Sequence, residues 1–240
     1  MDADEEQPTP GHTQPASCPE IKFGTIYTHK NNPRTIPILA IAKSQGLNID
    51  VVYADRCDGD NHEKLLQLNP LGQVPVFVGA DGYVLVECIP IALYITSQSD
   101  TTSLLGSTRR DYFDILRWMS FANGDMMPAI GGVILPLIGR HIEMRRNGDD
   151  CLRIFHRQCK ILDDHLKERK YLVGSCLTVA DLFVVSLLVF PVSIMHKVLF
   201  AKFERLSGWF NEVYQMRMLK DLWGELRLLD IPFPQLEVTE

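Results

Sequence analysis

The stretch Asn69-Pro70-Leu71-Gly72-Gln73-Val74-Pro75-Val76-Phe77-Val78 carries a polar turn into an apolar run, and Leu85-Val86-Glu87-Cys88 follows a second turn at Asp81-Gly82. Two short β-type runs, a tight turn and a helix opening at Glu87/Cys88 set a strand edge beside the N–H groups of a helix N-terminus. Such a unit can hold a small anionic peptide, because the edge offers backbone pairing and the helix start favours negative charge. A second marked site is Thr178-Val179-Ala180-Asp181, where Thr178 can cap the N–H of Asp181 while the carboxylate reaches back. Leu177 and Leu182 stand at the staple positions of that helix start. If this helix is central, the carboxylate is buried and satisfied by backbone donors.

The elements around the first unit follow from spacing and turn chemistry. Residues 1–20 are rich in Pro, Thr, Gln and acidic side chains with almost nothing to bury, and are expected to be a disordered arm. Phe23, Ile26 and Tyr27 make a short strand, and Asn32-Pro33 after the polar turn predicts a helix with Asn32 as N-cap and Pro33 at its first position, running to Gly46. Ile49, Val51, Val52 and Tyr53 read as a strand buried on both faces and parallel to the first. Asp58 to Leu68 is a short helix or turn, the hairpin follows, and Ile91, Leu93 and Ile95 carry a further helix.

This first module spans 21–98, and a Ser/Thr-rich linker spans 99–108. From 109 to 230 no strand signal recurs. Arg109 to Phe121, Gly148 to Glu168, Val179 to Phe190 and Phe203 to Met216 show helical spacing, and 231–240 is a short tail. The fold class expected is α/β plus all-α: a mixed four-stranded sheet with helices on its faces, then a helical bundle.

Composition excludes several classes. The net charge of −6 argues against nucleic acid as a partner; the Arg140 to Arg146 stretch, interrupted by Glu143, reads as a solvated helix end. Cysteines at 18, 57, 88, 151, 159 and 176 have no paired spacing, which disfavours a zinc site or a disulfide framework and implies a reducing compartment. The acidic N-terminus is unlike a signal peptide, and the apolar run Val184 to Val192, which contains Pro191, is shorter than a membrane span of about 20 residues. A soluble, cytoplasmic protein with no metal and no membrane partner is the expectation.

Taken in order, Gly24-Thr25-Ile26-Tyr27-Thr28, Asn32-Pro33-Arg34, Asn69 to Pro75, and Glu87-Cys88 with Ile91-Ala92 and Tyr94 resemble the glutathione S-transferase family. The second module adds Trp118-Met119-Ser120-Phe121-Ala122-Asn123, Tyr171 to Gly174 with Thr178 to Asp181, and Arg205 with Trp209-Phe210. Within the family the chain is similar to a standalone, fungal-type branch and to the transferase-like domain of the gamma subunit of translation elongation factor one. The resemblance implies a thioredoxin-like N-terminal domain that binds glutathione, a helical C-terminal domain that shapes the pocket for a small hydrophobic electrophile, and a homodimer.

It also implies roles for particular residues. Val74-Pro75 resembles the family's cis-proline turn, with Val74 pairing to the cysteinyl part of glutathione and Gln73 beside it. Glu87 and Cys88 take the place of an acidic residue and a serine that hold the γ-glutamyl end. Two departures weaken that site: a thiol is a poorer donor than a hydroxyl, and Pro90 removes an N–H from the first turn. Arg34 or Gln73 is a candidate for the glycine carboxylate.

Catalysis requires a stabilised thiolate; Tyr27, Thr28, His29, Asn32 and Arg34 are the available donors, with Tyr27, His29 and Asn32 as the candidates for the catalytic role. Tyr27 points either toward the sulfur or into the core, since a strand alternates its faces. Trp118, Phe121, Asn123 and Met126 are candidates for the second pocket, although a Trp or Phe at helical spacing is more often core. The resemblance implies glutathione addition in detoxification or specialised metabolism, with glutathione-dependent cis/trans isomerisation and a non-catalytic assembly module as alternatives.

Overall fold

A computed structural model describes residues 21–55, 59–101, 103–137 and 147–229 of the chain. The arm expected at 1–20, the stretch 138–146 and the tail at 231–240 lie outside the described residues.

The first half runs β1 (Lys22–Thr28), α1 (Ile36–Ser44), β2 (Asn48–Tyr53), α2 (Gly59–Leu68), β3 (Val76–Gly79), β4 (Val84–Val86) and α3 (Cys88–Thr96). The strands form one mixed sheet in the order β2-β1-β3-β4, parallel between β1 and β2 and antiparallel elsewhere. This is the thioredoxin-like arrangement. Ile26 and Phe77 face α1 and α3, which bury Ile38, Ile41, Ile91 and Ile95 against them. The opposite face is smaller, with Val76 packed against Leu65 of α2 and Ala54.

Two expectations for this half change. β2 is an edge strand with one neighbour, and Val51 and Tyr53 are 38% and 48% exposed rather than buried on both faces. A run of β-branched residues reports strand preference but not the number of neighbouring strands. Helix α1 starts at Ile36 rather than Pro33. Asn32 Oδ1 accepts the N–H of Arg34 at 3.0 Å, and the Asn32 carbonyl accepts those of Thr35 and Ile36, both at 3.0 Å. One separate turn is thereby fixed ahead of the helix, and the Thr28 and Thr35 hydroxyls close it at 2.7 Å.

The second half contains α4 (Arg109–Ser120), a π-turn at Phe121–Met126, α5 (Met127–Leu137), α6 (Gly148–His165), α7 (Val179–Lys202), α8 (Glu204–Gln215) and α9 (Arg217–Trp223). Helix α5 escapes a periodicity reading because it is apolar nearly all round and carries Pro136 inside it. Helix α7 does not stop before Pro191 but continues to Lys202, with Met195 at φ −115°, ψ 17° marking its kink. By length and composition α7 could cross a membrane, yet 72% of its most apolar window is buried inside the molecule. It is the central core helix, and α4, α8 and α1 pack on it. Helix α9 returns to α1, where Asp221 meets Lys43 at 3.3 Å.

At the start of α7 the Asp181 carboxylate is fully buried. It accepts the N–H of Leu172 (2.8 Å), the N–H and hydroxyl of Thr178 (2.9 and 2.8 Å) and the indole N–H of Trp209 (3.0 Å). Burial raises its pKa against the pull of these four donors. One carboxylate thus ties the loop before α7 to α8.

Candidate functional site

Sheet register brings three loops to one end of the first domain. Tyr27 of β1 pairs with Val76 of β3, and Val76 pairs with Val86 of β4. The turn after β1 (29–35), the segment entering β3 (69–75) and the start of α3 after β4 (87–90) therefore adjoin.

The Val74–Pro75 peptide bond is cis. Asn69 builds the loop that delivers it: its carbonyl accepts the N–H of Gly72 (2.8 Å), its Oδ1 that of Leu71 (3.3 Å), and its Nδ2 donates to the carbonyl of Gln73 (3.0 Å). Gly72 takes φ +62°, which a residue without Cβ adopts freely. The sheet ladder begins only at Val76, so the backbone of Gln73 and Val74 lies outside it. Gln73 is exposed, Val74 half-buried and Pro75 buried.

Glu87 is the N-cap of α3 and sits at φ 71°, ψ 126°, a region that side chains rarely adopt. Its side chain makes no cap hydrogen bond and is exposed. Cys88 lies directly behind it, 3% exposed. Burial pushes its thiol up to about 11, with Arg34 and the N–H groups of Ile89 and Cys88 pulling the other way and Glu87 adding to the rise. Cys88 is therefore a neutral thiol at physiological pH. Pro90 falls within the first turn of α3, where its missing N–H costs the helix nothing.

The three candidate thiolate donors separate clearly. Tyr27 packs into the α2-side cluster with Ala54, Leu65 and Val76, on the face away from α1 and α3. Strand alternation allowed this placement, and Val74 of the cis-proline loop packs against the same cluster. His29 is half-exposed, and its Nδ1 lies 2.7 Å from Asp55 Oδ1 at ion-pair distance, though poorly aligned for a hydrogen bond. Asn32 is buried to 9% exposure, and its amide oxygen is committed to the Arg34 N–H, which fixes the amide orientation and leaves Nδ2 as a donor.

From the helical domain Asn123 reaches this turn. Arg34 Nε donates to Asn123 Oδ1 at 2.7 Å across 89 residues of sequence. Asn123 stands in the π-turn between α4 and α5. Of its companions in the expected second pocket, Phe121 is half-buried, whereas Trp118 and Met126 lie in the core at 3% and 0% exposure. The Trp118 ring packs 4.6 Å from His165 and 5.8 Å from Phe121, with the Arg117 guanidinium 4.5 Å from its centre. Spacing alone did not distinguish these core positions from pocket positions.

A separate cavity of about 290 Å³ opens at the opposite end of the sheet, between the start of β1 and the end of β3, lined by Phe23, Asn48, Gly79 and Tyr94 among others. It is remote from the three loops.

Comparison with known proteins decides the family. Residues 23–97 match the N-terminal domain model of glutathione S-transferases, and 126–216 match the C-terminal domain model. Glutathione S-transferase mdpJ of Emericella nidulans is 39% identical over 220 residues, covering 92% of this chain and 98% of that protein. Glutathione S-transferase stcT of the same organism is 42% identical over 219 residues, covering 89% and 98%. The chain belongs to the glutathione S-transferase family.

Among solved structures it is similar to the GST-like domain of elongation factor 1-gamma from Saccharomyces cerevisiae. The TM-score is 0.74 at 28% identity, covering 88% of this chain and 98% of that one. The glutathione S-transferase family uses glutathione as a substrate. Two features of this chain's site were not read from the sequence: the strained backbone of Glu87 and the Arg34–Asn123 link. Neither has a local sequence signal, because one is a φ value and the other joins two domains.

Proposed function

We propose that this transferase adds the glutathione thiolate to a small hydrophobic electrophile, with Asn32 donating from Nδ2 to the sulfur. The orientation of the Asn32 amide carries this reading. A free thiol of pKa about 8.5 is only a few per cent ionised at neutral pH, and lowering it by about 2 units takes about 2.7 kcal/mol of selective stabilisation. The N-terminal dipole of α1 supplies about 0.3–1 kcal/mol, and a hydrogen bond to a charged acceptor about 1.5–3 kcal/mol. In the same reading the backbone of Val74 pairs with the cysteinyl residue, Glu87 meets the α-amino group, and the N–H groups of α3 meet the α-carboxylate.

Asn32→Asp tests the donor. The carboxylate can still accept the Arg34 N–H, so the turn persists, but the donor is gone and a like charge faces the sulfur. The expected result is unchanged melting temperature with kcat/KM for a model electrophile lowered about 10- to 100-fold. Undiminished activity removes Asn32 from the mechanism.

Two other outcomes define the alternatives. With a conjugated alkene, accumulation of a thioether marks net conjugation, whereas isomerised product with total glutathione unchanged marks reversible addition. Likeness to the elongation-factor domain supports the non-catalytic module, and calorimetry showing no binding at millimolar glutathione would select it. A homodimer belongs to the same proposal, tested by light scattering after gel filtration.

A further inference from the structure

The turn after β1 and the π-turn of the helical domain are joined through a single cation. Arg34 follows Asn32 by two residues, and its own N–H fixes the Asn32 amide. Its side chain leaves that turn to give Nε to Asn123. Nε being committed, the guanidinium retains its terminal NH₂ groups for an anion, and among the described residues Arg34 has no carboxylate partner. Nearby charge is felt at the start of α3, since Arg34 is the largest influence favouring the thiolate form of Cys88.

Asn123 is placed by an unusual element. The segment Phe121–Met126 is a π-turn within a helix that otherwise runs on from α4 into α5. Such turns are rare and recur at functional sites. Here Ala122 and Met126 are fully buried and hold the turn in the core, while Asn123 is left half-buried and facing Arg34. The guanidinium is thereby drawn toward the helical domain, the side from which a second substrate must approach the sulfur.

We propose that Arg34 is the cation that stabilises the ionised glutathione sulfur, and that Asn123 acts through it as a positioning residue. This rests on the transferase reading and assigns the charge that the neutral Asn32 amide lacks. In the step concerned the S–H bond breaks, its proton passes to water, and the electron pair stays on sulfur facing the guanidinium. The Arg34 side chain is thereby assigned to the thiolate rather than to the glycine carboxylate.

The test is an ultraviolet titration of the bound thiolate, with calorimetry for glutathione affinity and thermal melts for folding. Removing a cation beside the sulfur in Arg34→Gln is expected to raise the bound thiol pKa by about one unit or more. Asn123→Asp keeps the acceptor for Nε but neutralises the guanidinium, so its melting temperature holds while the pKa rises by a similar amount. Asn123→Ala removes the acceptor for Nε without adding a charge, so a positioning Asn123 raises the pKa there too, whereas a purely structural Asn123 leaves it unmoved.

Folded Arg34→Gln and Asn123→Asp proteins that bind glutathione and titrate like wild type overturn the proposal and leave the transferase reading intact. A dissociation constant raised more than tenfold in Arg34→Gln with the pKa unmoved assigns Arg34 to a glutathione carboxylate and also overturns it. Failure of the wild-type protein to bind glutathione overturns both.

Discussion

Glu87 holds a backbone conformation that costs about 1–3 kcal/mol for a residue with a side chain, at the N-cap of α3 where glycine would sit without strain. Its side chain is exposed and makes no cap hydrogen bond. Glu87→Gly is therefore expected to stabilise the fold by about 1 kcal/mol while weakening glutathione binding at least about tenfold; thermal melts and calorimetry on one preparation check both signs. Its neighbour Cys88 is buried with a thiol pushed up to about 11, so thiol reagents at neutral pH should modify the exposed Cys176 and spare Cys88. Cys88→Ser restores a hydroxyl at the helix start and is expected to tighten glutathione about 2- to 10-fold, read by calorimetry. Glu87 and Cys88 were both visible in the sequence at the place of the family's acid-and-serine pair, with Cys88 and Pro90 as its departures. The φ of Glu87 was not, because strain of this kind is imposed by the junction of β4 with α3 and leaves no mark on residue type.

At the scale of elements, the four donors converging on Asp181 make the start of α7 the most exposed point of the fold to mutation. Asp181→Ala strands the N–H groups of Leu172 and Thr178 and the indole of Trp209 in the core, and should cost about 3–5 kcal/mol in a denaturant titration. Thr178 to Asp181 was legible because a capping box is a local pattern, and so were the hairpin and the cis-proline loop. What was not legible is equally instructive. The turn at Pro33 to Thr35 displaced α1, since Asn32 accepts from Arg34 before any helix begins. Pro191 did not end α7, because packing on both sides of a buried helix outweighs one lost hydrogen bond. Tyr27 packs into the α2-side cluster, a choice between two faces that the strand pattern leaves open.

Over the whole molecule, acid sensitivity follows from two histidines. His156 packs 4.8 Å from the Phe203 ring, and His165 bonds the Leu172 carbonyl at 2.9 Å. Burial lowers both pKa values below the ordinary 6.5, with Lys202 beside His156 adding to the fall and the Leu172 bond opposing it at His165. At about pH 8, well above the ordinary value, both are neutral in either state and contribute no pH dependence. As pH falls toward that ordinary value the unfolded chain takes up protons first, so stability declines until the folded-state pKa values are passed. Urea midpoints measured from pH 8 to pH 5 should fall, and the double variant His156→Gln, His165→Gln should show a shallower decline.

The Arg34–Asn123 hydrogen bond, spanning 89 residues, also sets an order of events during synthesis. Domains fold as units from the N-terminus as the chain emerges. A nascent chain that has completed β1 to α3 already has the loops of the peptide site but has not yet made Asn123. On the proposed assignment, such a chain can capture glutathione beside Asn32 and Arg34, and the guanidinium gains its anchor only when the second half has closed over the first.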